Sequence, residues 1–345
     1  MKQLFLFFVY SLLLVHTEVK GEAPVILVTG GAGYIGSHAC KALSQAGFYP
    51  VTYDSLINGS KEAVKWGPLV VGDLNDTEKL NQTFCKYKPV AVMHFAALRN
   101  VGDSITDPSS YYQVNVAGSI QLLTCMLKHN VKTIIFSSSC TVYGSSIHSV
   151  ISEDQPRAPV NPYATSKFFV EKIIEDFARA YDFKYALLRY FNAAGMDVQA
   201  GLKRSENAYN FLIPRALKAL IQADEPLPLY GKDYATPDGT CIRDYIHVSD
   251  LAEAHLLALQ HLQQKKSNLT LNLGTGKGYS VFEIIKMIEQ VTNQPLPYVF
   301  KPRREGDLAK TVADPTVSKQ ILHFTPCHSD LQEIIESEWT ALRSP

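Results

Sequence analysis

Apolar runs recur through the first two thirds of the chain, and each ends in polar residues. The runs lie at 25–29, 49–53, 69–73, 90–97, 133–136 and 186–191. Strands that are apolar along their whole length are typical of parallel sheets that are buried on both faces. Because helical stretches alternate with these runs, the pattern predicts an α/β fold with a doubly wound parallel sheet.

The part of the chain after Gly195 predicts a second, smaller unit. Ser249 precedes an apolar helix that runs to Leu262, and residues 280–283 form a capping-box sequence that begins another helix. We expect both helices to serve packing. The predicted division is an apolar segment at 1–22, a doubly wound domain at 23–195 and, mainly at 196–345, a discontinuous α/β lobe from which some segments return to the first domain.

The first apolar run leads directly into the glycine-rich segment 30–36, which opens a helical stretch. Gly30 permits a tight turn, Gly33 lets the backbone approach a pyrophosphate, and Gly36 allows close packing of helix on strand. The second run ends at Asp54, where a carboxylate can bind ribose hydroxyls and would repel a 2′-phosphate. The sequence therefore predicts a Rossmann-type domain that binds NAD in preference to NADP.

Polar residues follow the other runs at the carboxyl ends of the strands, where ligands of parallel sheets gather. Asp73 is a candidate for the adenine, and residues 95–97 for the wall along the middle of the cofactor. The fifth run delivers Ser137-Ser138-Ser139, and the sixth ends at Asn192. Polar groups at successive strand ends predict a functional site.

Residues 163–167 place a tyrosine and a lysine four positions apart. Asn161 can cap a helix and Pro162 suits its first turn, so the Tyr163 phenol and the Lys167 ammonium would share one face. A free phenol has a pKa of about 10, so a phenolate at neutral pH requires roughly 4 kcal/mol. We expect Lys167 and the helix start to supply this stabilisation, although the spacing alone is also common in ordinary helices.

Together these segments resemble the extended short-chain dehydrogenases/reductases and, more closely, the UDP-glucose 4-epimerase family. The similarity runs from about Val25 almost to the C-terminus, which makes it more specific than any single motif. The matching segments are 29–36, 137–144, Tyr163 with Lys167, 189–192, 239–248 and 303–307.

The resemblance implies that bound NAD takes a hydride from C4 of a UDP-sugar and returns it to the other face of a 4-keto intermediate. Tyr163 would remove the 4-hydroxyl proton, Ser139 would bind that hydroxyl, and Lys167 would hold the nicotinamide ribose. The implied cofactor residues are Gly30, Gly33, Tyr34, Ile35, Gly36, Asp54, Asn58, Asp73, Leu74, Phe95, Ala96, Ala97, Arg99, Asn115, Tyr163, Lys167 and Phe191. The implied substrate residues are Ser139, Tyr163, Asn192, Arg243, Arg304, Asp307 and Thr311.

Three positions depart from the family pattern. Arg99 stands where lysine is frequent, and Phe211 stands where a polar residue is common. Thr311 occupies a position at which some epimerases carry a bulky tyrosine beside the hexose. The smaller side chain predicts room for an N-acetyl group, and therefore activity on UDP-N-acetylglucosamine and UDP-N-acetylgalactosamine.

Three alternative functions remain open. The first is a 4-epimerase acting on another UDP-sugar, such as a pentose or uronate. The second is a nucleotide-sugar 4,6-dehydratase, a family with an Asp-Glu pair where this chain has Cys140 and Thr141, which cannot replace paired carboxylates. The third is an NAD-sensing regulator without enzyme activity, although such proteins commonly lose the tyrosine and lysine that this chain retains.

Composition adds few constraints. The 345 residues carry no net charge, which gives no indication of nucleic-acid binding. The six cysteines are scattered singly, so we expect reduced thiols, no zinc site and no metal. The family often forms homodimers through paired helices, and by analogy the helices at 109–129 and 163–181 are the candidates.

The N-terminus conflicts with the rest of the chain. Residues 4–15 are apolar and follow Lys2, as in the core of a signal peptide, but no clear cleavage site follows. NAD and nucleotide sugars are cytosolic, so we predict a cytoplasmic enzyme that contacts a membrane only if this segment is retained.

Overall fold

The computed structural model describes residues 23–145, 150–203, 211–221, 226–264, 267–304 and 307–344. The apolar segment at 1–22, including its predicted resemblance to a signal peptide, lies outside the described residues. Within the described ranges, no helix has the length and apolar character needed to cross a membrane.

The first half of the chain alternates strands with helices, as the apolar pattern predicts. The elements are β1 Val25–Thr29, α1 Tyr34–Gln45, β2 Tyr49–Asp54, β3 Leu69–Val71, α2 Thr77–Tyr87, β4 Ala91–His94, α3 Val101–Thr106, α4 Pro108–Tyr111, a π-helical turn Tyr112–Ala117, α5 Gly118–Lys128, β5 Thr133–Ser139, β6 Val150–Ile151, α6 Pro162–Tyr181, β7 Lys184–Tyr190 and β8 Asn192–Ala194.

The second half contains shorter strands between helices. The elements are α7 Leu212–Ile221, β9 Leu227–Tyr230, β10 Ile242–His247, α8 Val248–Gln263, β11 Leu269–Leu273, β12 Gly278–Ser280, α9 Val281–Thr292, β13 Tyr298–Lys301, β14 Lys310–Ala313, α10 Thr316–Leu322 and α11 Leu331–Arg343. Short 3₁₀ helices lie at Lys61–Ala63, Cys140–Tyr143 and Val198–Ala200.

The principal sheet has seven parallel strands in the order β11-β7-β5-β4-β1-β2-β3. The order reverses direction between β1 and β4, which is the position where doubly wound sheets bind ligands. The predicted α/β class and the doubly wound parallel sheet are confirmed. The predicted fourth strand was too long, because β4 ends at His94 and residues 95–97 form a loop.

Helices cover both faces of this sheet. α1, α8 and α10 pack on one face, and α2, α5 and α6 pack on the other. The strand residues that face them, such as Ile26 and Leu27, are fully buried. This burial on both faces explains why the strands are apolar throughout and lack an alternating pattern.

The smaller lobe is built from α7, α9 and α11, which pack around a separate apolar core with β9. The Ser280–Glu283 capping box forms as predicted and begins α9. α8 and β11 lie with the principal sheet, although they follow Gly195 in the chain. The domain boundary near Gly195 stays a prediction.

Candidate active site

A cavity of about 500 Å³ lies along the carboxyl ends of the principal strands and extends to the smaller lobe. The turn after β1 lines one end, and Arg243, Arg304 and β9 line the other. Tyr163 and Lys167 line the cavity between these ends. Its position agrees with the rule that ligands of open α/β sheets bind where the strand order reverses.

The turn between β1 and α1 has no space for side chains. Gly30 has φ +73°, and a Cβ there would lie 2.6 Å from the Ala96 nitrogen. A Cβ on Gly36 would lie 2.2 Å from the Gly30 carbonyl oxygen. Both glycines are therefore required for the close approach of turn, helix and neighbouring loop. The turn leaves the start of α1 open towards the cavity, as a bound pyrophosphate requires.

Asp54 ends β2 at the edge of the same cavity. Its carboxylate accepts hydrogen bonds from the Ala32 nitrogen at 3.0 Å and the Leu56 nitrogen at 2.8 Å. Burial raises the pKa of Asp54, while these two hydrogen bonds oppose the shift. The carboxylate is thus fixed where it can accept hydrogen bonds from a ribose.

The loop after β4 is held in place by Asn115. Its side chain accepts a hydrogen bond from the Leu98 nitrogen at 2.8 Å and donates to the Leu98 oxygen at 3.0 Å and to Ser166 Oγ at 2.9 Å. Asn115 lies in the π-helical turn and is 2% exposed. It does not line the cavity, so its predicted direct contact with the cofactor is not seen, and its contacts instead position the cavity-lining loop.

The catalytic candidates lie where α6 meets the end of β5. The Asn161 side chain caps α6 as predicted, by accepting a hydrogen bond from the Ala164 nitrogen at 2.9 Å. The Lys167 ammonium is 3% exposed and donates to the Ser137 carbonyl oxygen at 2.8 Å. Ser139 Oγ accepts from Thr141 Oγ1 at 3.0 Å, and its hydrogen bond with the Tyr163 phenol lowers the pKa of that phenol.

Burial dominates the pKa of Tyr163, and the predicted effect of Lys167 on this phenol stays a prediction. Desolvation raises the pKa of Tyr163 to about 12, and Ser139 and Arg99 only partly oppose this. Burial lowers the pKa of Lys167 to about 7, opposed by the negative charge of Glu171. For the phenol, burial thus outweighs the opposing influences of Ser139 and Arg99.

A buried ionic network supports this corner from behind. The Glu171 carboxylate accepts hydrogen bonds from Ser138 Oγ at 2.5 Å, Arg189 Nη2 at 2.7 Å and Arg157 Nη1 at 3.0 Å. Glu171 is fully buried and Arg189 is 3% exposed. Because Glu171 lies one turn after Lys167 on α6, the network fixes that helix against β5.

Two guanidinium groups and one carboxylate form the far end of the cavity. Arg304 Nε donates to Asp307 Oδ2 at 2.9 Å, and Arg243 Nη2 lies 3.8 Å from Asp307 Oδ1. Arg304 also stacks 4.9 Å from the centroid of the Tyr230 ring. Two positive charges share one negative charge, which leaves this wall able to bind an anion. Asn192 is held by donating to the Asp244 oxygen at 2.9 Å.

The structure brings the predicted site residues to one cavity, with two exceptions. All predicted cofactor and substrate residues line the cavity except Asn115 and Thr311. Thr311 is 9% exposed and pairs with Arg243 through the register of β10 and β14. Its predicted direct contact with the hexose is therefore not seen, and its side chain lies beside the strand that carries Arg243.

Several cavity residues were not among the predicted site residues. Residues 211–215 and Leu227–Tyr230 line the far wall, and Tyr190 lines the reacting end, where its phenol bonds Ser137 Oγ. Cys140 also lines the cavity, and burial raises the pKa of its thiol to about 12. An ordinary apolar strand and a strand-terminal tyrosine carry no pattern that distinguishes them from core residues.

Comparison with known proteins agrees with this site. Residues 26–274 match the model of the NAD dependent epimerase/dehydratase family. The UDP-glucose 4-epimerase of Rhizobium leguminosarum bv. trifolii is 41% identical over 314 residues, which cover 91% of this chain and 96% of that protein. The UDP-glucose 4-epimerase of Mus musculus is 40% identical over 91% of this chain and 95% of its own length.

Solved structures show the same fold. The UDP-glucose 4-epimerase of Brucella ovis in complex with NAD has a TM-score of 0.89 and 45% identity, over 92% of this chain and 98% of its own. The enzyme of Bifidobacterium longum in complex with NAD+ and UDP has a TM-score of 0.87 and 37% identity, over 92% and 97%. The chain therefore belongs to the NAD-dependent epimerase/dehydratase family and, within it, to the UDP-glucose 4-epimerases.

Proposed function

We propose that this protein interconverts UDP-glucose and UDP-galactose by NAD-dependent epimerisation at C4. The observation that carries the proposal is the order of groups along one cavity: a glycine cradle and Asp54 at one end, Ser139, Tyr163 and Lys167 in the middle, and Arg243 with Arg304 at the other. A dinucleotide and a nucleotide sugar would then meet end to end at the phenol.

The described residues fit a bound NAD. The cradle at Gly30 and Gly36 excludes any Cβ, and the fixed Asp54 carboxylate favours a free 2′-hydroxyl over a 2′-phosphate. Residues 95–97 and Lys167 line the middle of the cavity. When bound, NAD supplies reversible hydride acceptance at C4 of the sugar.

Tyr163 is the proposed acid and base. Its phenol oxygen takes the proton of the C4 hydroxyl as the sugar is oxidised, and returns a proton to the same oxygen when the ketone is reduced on its other face. Ser139 orients that oxygen through its hydroxyl. Lys167 is fixed by its hydrogen bond to the Ser137 oxygen, and its ammonium would hold the nicotinamide ribose of a bound NAD and support negative charge on the phenol.

Epimerisation requires the sugar to turn while the nucleotide stays bound. Arg243 and Arg304 offer planar, charged hydrogen-bond donors to the diphosphate, and Asp307 holds both guanidinium groups in position. The middle of the cavity supplies small or uncharged groups such as Ser139 and Asn192 to the hexose. A firmly bound diphosphate with a loosely bound hexose permits rotation without release.

The alternative functions have less support. Elimination of water by a 4,6-dehydratase needs paired carboxylates, whereas the cavity presents the high-pKa thiol of Cys140 and the hydroxyl of Thr141 at that place. A regulator without activity would not need the arrangement of Tyr163 and Lys167 against β5. Other UDP-sugars, including pentoses and uronates, remain competing substrates within the same chemistry.

The test is turnover of a panel of UDP-sugars by the wild type and Tyr163→Phe, with products identified by NMR. We expect UDP-glucose and UDP-galactose to interconvert, and Tyr163→Phe to reduce kcat about 10²- to 10⁴-fold, the range of general acid–base catalysis. NAD content should be equal in both proteins. A 4-keto-6-deoxy product would support the dehydratase, and unchanged turnover in Tyr163→Phe would exclude the proposed base.

We further propose that N-acetylated UDP-sugars are substrates. Thr311 lies outside the cavity lining, paired with Arg243 on the neighbouring strand, so a bulkier side chain there would act on the sugar site only through that strand. Incubation with UDP-N-acetylglucosamine should give UDP-N-acetylgalactosamine, and Thr311→Tyr should reduce this reaction more than that of UDP-glucose. No conversion by the wild type, beside rapid turnover of UDP-glucose, would refute the proposal.

For assembly, we propose a homodimer formed through α5 and α6. Tyr112, Ile120 and Phe169 are 37%, 38% and 43% exposed on this surface, and the Tyr112 and Phe169 rings lie 6.2 Å apart. A second copy of the chain would cover these apolar side chains. Light scattering should give a dimer for the wild type and a monomer for Phe169→Glu; a monomeric wild type would rule the interface out.

For location, we propose the cytoplasm, because the substrates are found there and all six cysteines are free thiols. Cell fractionation and sequencing of the mature N-terminus provide the test. Cleavage after the apolar segment together with export would refute the proposed location.

A further inference from the structure

We propose that Arg99 and Phe211 form a clasp across the cavity that retains the UDP-sugar during turnover. The proposal rests on the function proposed above and adds a specific retention device to it. These are two of the positions at which the sequence departs from the family pattern, and the structure brings them into contact.

The clasp joins two separate parts of the molecule. Arg99 lies in the loop between β4 and α3, at the principal sheet, whereas Phe211 directly precedes α7 of the smaller lobe. The guanidinium carbon of Arg99 lies 5.0 Å from the centroid of the Phe211 ring, within the distance of a cation–π contact. Both residues line the cavity. The contact therefore joins the two parts of the molecule at the wall of the cavity.

The electrostatic influence of Arg99 places the clasp at the reacting end. Arg99, Tyr163 and Tyr190 line the same cavity, and the positive charge of Arg99 acts to lower the pKa of both phenols. A sugar whose C4 hydroxyl reaches Tyr163 would pass beneath this contact. The clasp would thus cover the hexose, whereas Arg243 and Arg304 bind the diphosphate.

The Phe211 side chain buries only part of its apolar surface by packing against the protein. Its side chain is 46% exposed, although the neighbouring Leu212 and Ile213 pack against or within the core of the smaller lobe. A large apolar ring held half in solvent at the wall of this cavity is more simply explained by a role at the cavity. The Arg99 guanidinium supplies the ring with a partner whose charge also attracts an anionic nucleotide sugar.

Retention matters because the oxidised sugar has to turn before it is reduced. If the 4-keto nucleotide sugar leaves first, the two electrons taken from C4 remain on the cofactor, and that enzyme molecule stops turning over. Weakening the clasp should therefore increase both substrate dissociation and loss of the keto intermediate.

The experiment is a double-mutant cycle with Arg99→Lys, Phe211→Leu and the double variant. Arg99→Lys keeps the charge but loses the planar group, and Phe211→Leu keeps apolar bulk but loses the aromatic face. Each variant is placed in the Tyr163→Phe background with NAD bound, and the Kd of UDP-glucose is measured by calorimetry. Phe211→Tyr serves as the conservative variant, and Arg303→Lys removes a similar contact with Tyr234 outside the cavity lining.

Each single variant should weaken UDP-glucose binding about two- to fivefold, and the double variant should add little, because a partly exposed cation–π contact has this strength. Phe211→Tyr should restore the coupling, and Arg303→Lys should leave the Kd unchanged. With Tyr163 present, Phe211→Leu should accumulate reduced cofactor, absorbing near 340 nm, faster than the wild type. Strictly multiplicative effects of the two changes on Kd would overturn the clasp.

The outcomes separate the clasp from the proposed function. If the wild type binds UDP-glucose but forms no epimer, the proposed function is wrong. The Kd values of the double-mutant cycle still test the clasp in that case. If epimerisation occurs but Kd shows no coupling, the clasp alone fails. If the wild type does not bind UDP-glucose, both are refuted.

Discussion

The pKa values of Tyr163 and Lys167 are shifted in opposite directions by the same cause, which is the loss of water around both side chains. The pKa of Tyr163 rises to about 12 and that of Lys167 falls to about 7. A phenolate at neutral pH thus needs a further positive charge. The oxidised nicotinamide ring carries one, so NAD loading should lower the pKa of Tyr163 by roughly one to three pH units. Ultraviolet titration of the wild type minus Tyr163→Phe, with and without NAD, measures this; equal titration curves would contradict it.

The burial of Lys167 also leads to a prediction about how the stability of the protein depends on pH. Its pKa falls from 10.5 to about 7 on folding, so the unfolded chain binds more protons between these pH values. The free energy of unfolding therefore rises with pH across that window, by roughly 1.4 kcal/mol per pH unit. Below about pH 7 the destabilisation by the buried ammonium is present in full. Lys167→Met, which does not titrate, should raise the melting temperature of NAD-depleted protein most at pH 6.

The control for this prediction is Lys172→Met, because the Lys172 side chain is 39% exposed on the same helix. Its effect on the melting temperature should vary little with pH. A stabilisation by Lys167→Met that stays constant from pH 6 to pH 10 would show that the buried ammonium is not destabilised as proposed.

At the scale of elements, α6 is attached to β5 by side chains at successive turns of the helix. Tyr163, Lys167 and Glu171 bond to Ser139, Ser137 and Ser138 respectively. Glu171→Gln removes the buried negative charge that faces two arginines, and it should destabilise the protein by about 3–5 kcal/mol. Glu175→Gln removes a partly exposed partner of Arg157, and it should lower the free energy of unfolding by about 1 kcal/mol or less. Thermal unfolding of both variants distinguishes the two cases.

The glycine turn gives a second prediction at this scale. Gly36→Ala should abolish NAD retention, because its Cβ would lie 2.2 Å from the Gly30 oxygen and would force the turn away from the helix. Gly102→Ala is the matched control within α3, where the nearest atom is 3.4 Å from the added Cβ. The NAD content of the purified variants is the measurement. Equal retention in both would show that the turn does not hold the cofactor as proposed.

These elements could be predicted from the sequence because their causes are local. The close approach of Gly36 to Gly30 is a contact between nearby residues, and α6 depends on Asn161 and on the four-residue spacing. The end of β4 and the π-helical turn could not be predicted in this way. Asn115 in that turn bonds to Leu98 in the loop after β4 and to Ser166 on α6, and both partners lie far from it in the chain.

At the scale of the whole molecule, the same limit applies to the cavity. Its dinucleotide end could be predicted because successive strands of a parallel sheet deliver their carboxyl ends to one edge. Its far wall combines β9, the start of α7 and Arg304, which no periodic pattern relates. The contact between Arg99 and Phe211 and the acidity of Tyr163 likewise depend on tertiary burial that a motif does not encode.

Because the cavity is walled by both parts of the molecule, nucleotide binding should stabilise the whole structure. UDP at about 100 times its Kd should add roughly 2.7 kcal/mol to the free energy of unfolding of the NAD-bound protein. Arg243→Met should remove most of the resulting rise in melting temperature, because the diphosphate loses a charged donor. Arg303→Met, outside the cavity lining, should retain it. Equal thermal shifts in the two variants would place the diphosphate elsewhere, since only Arg243 of this pair lines the cavity.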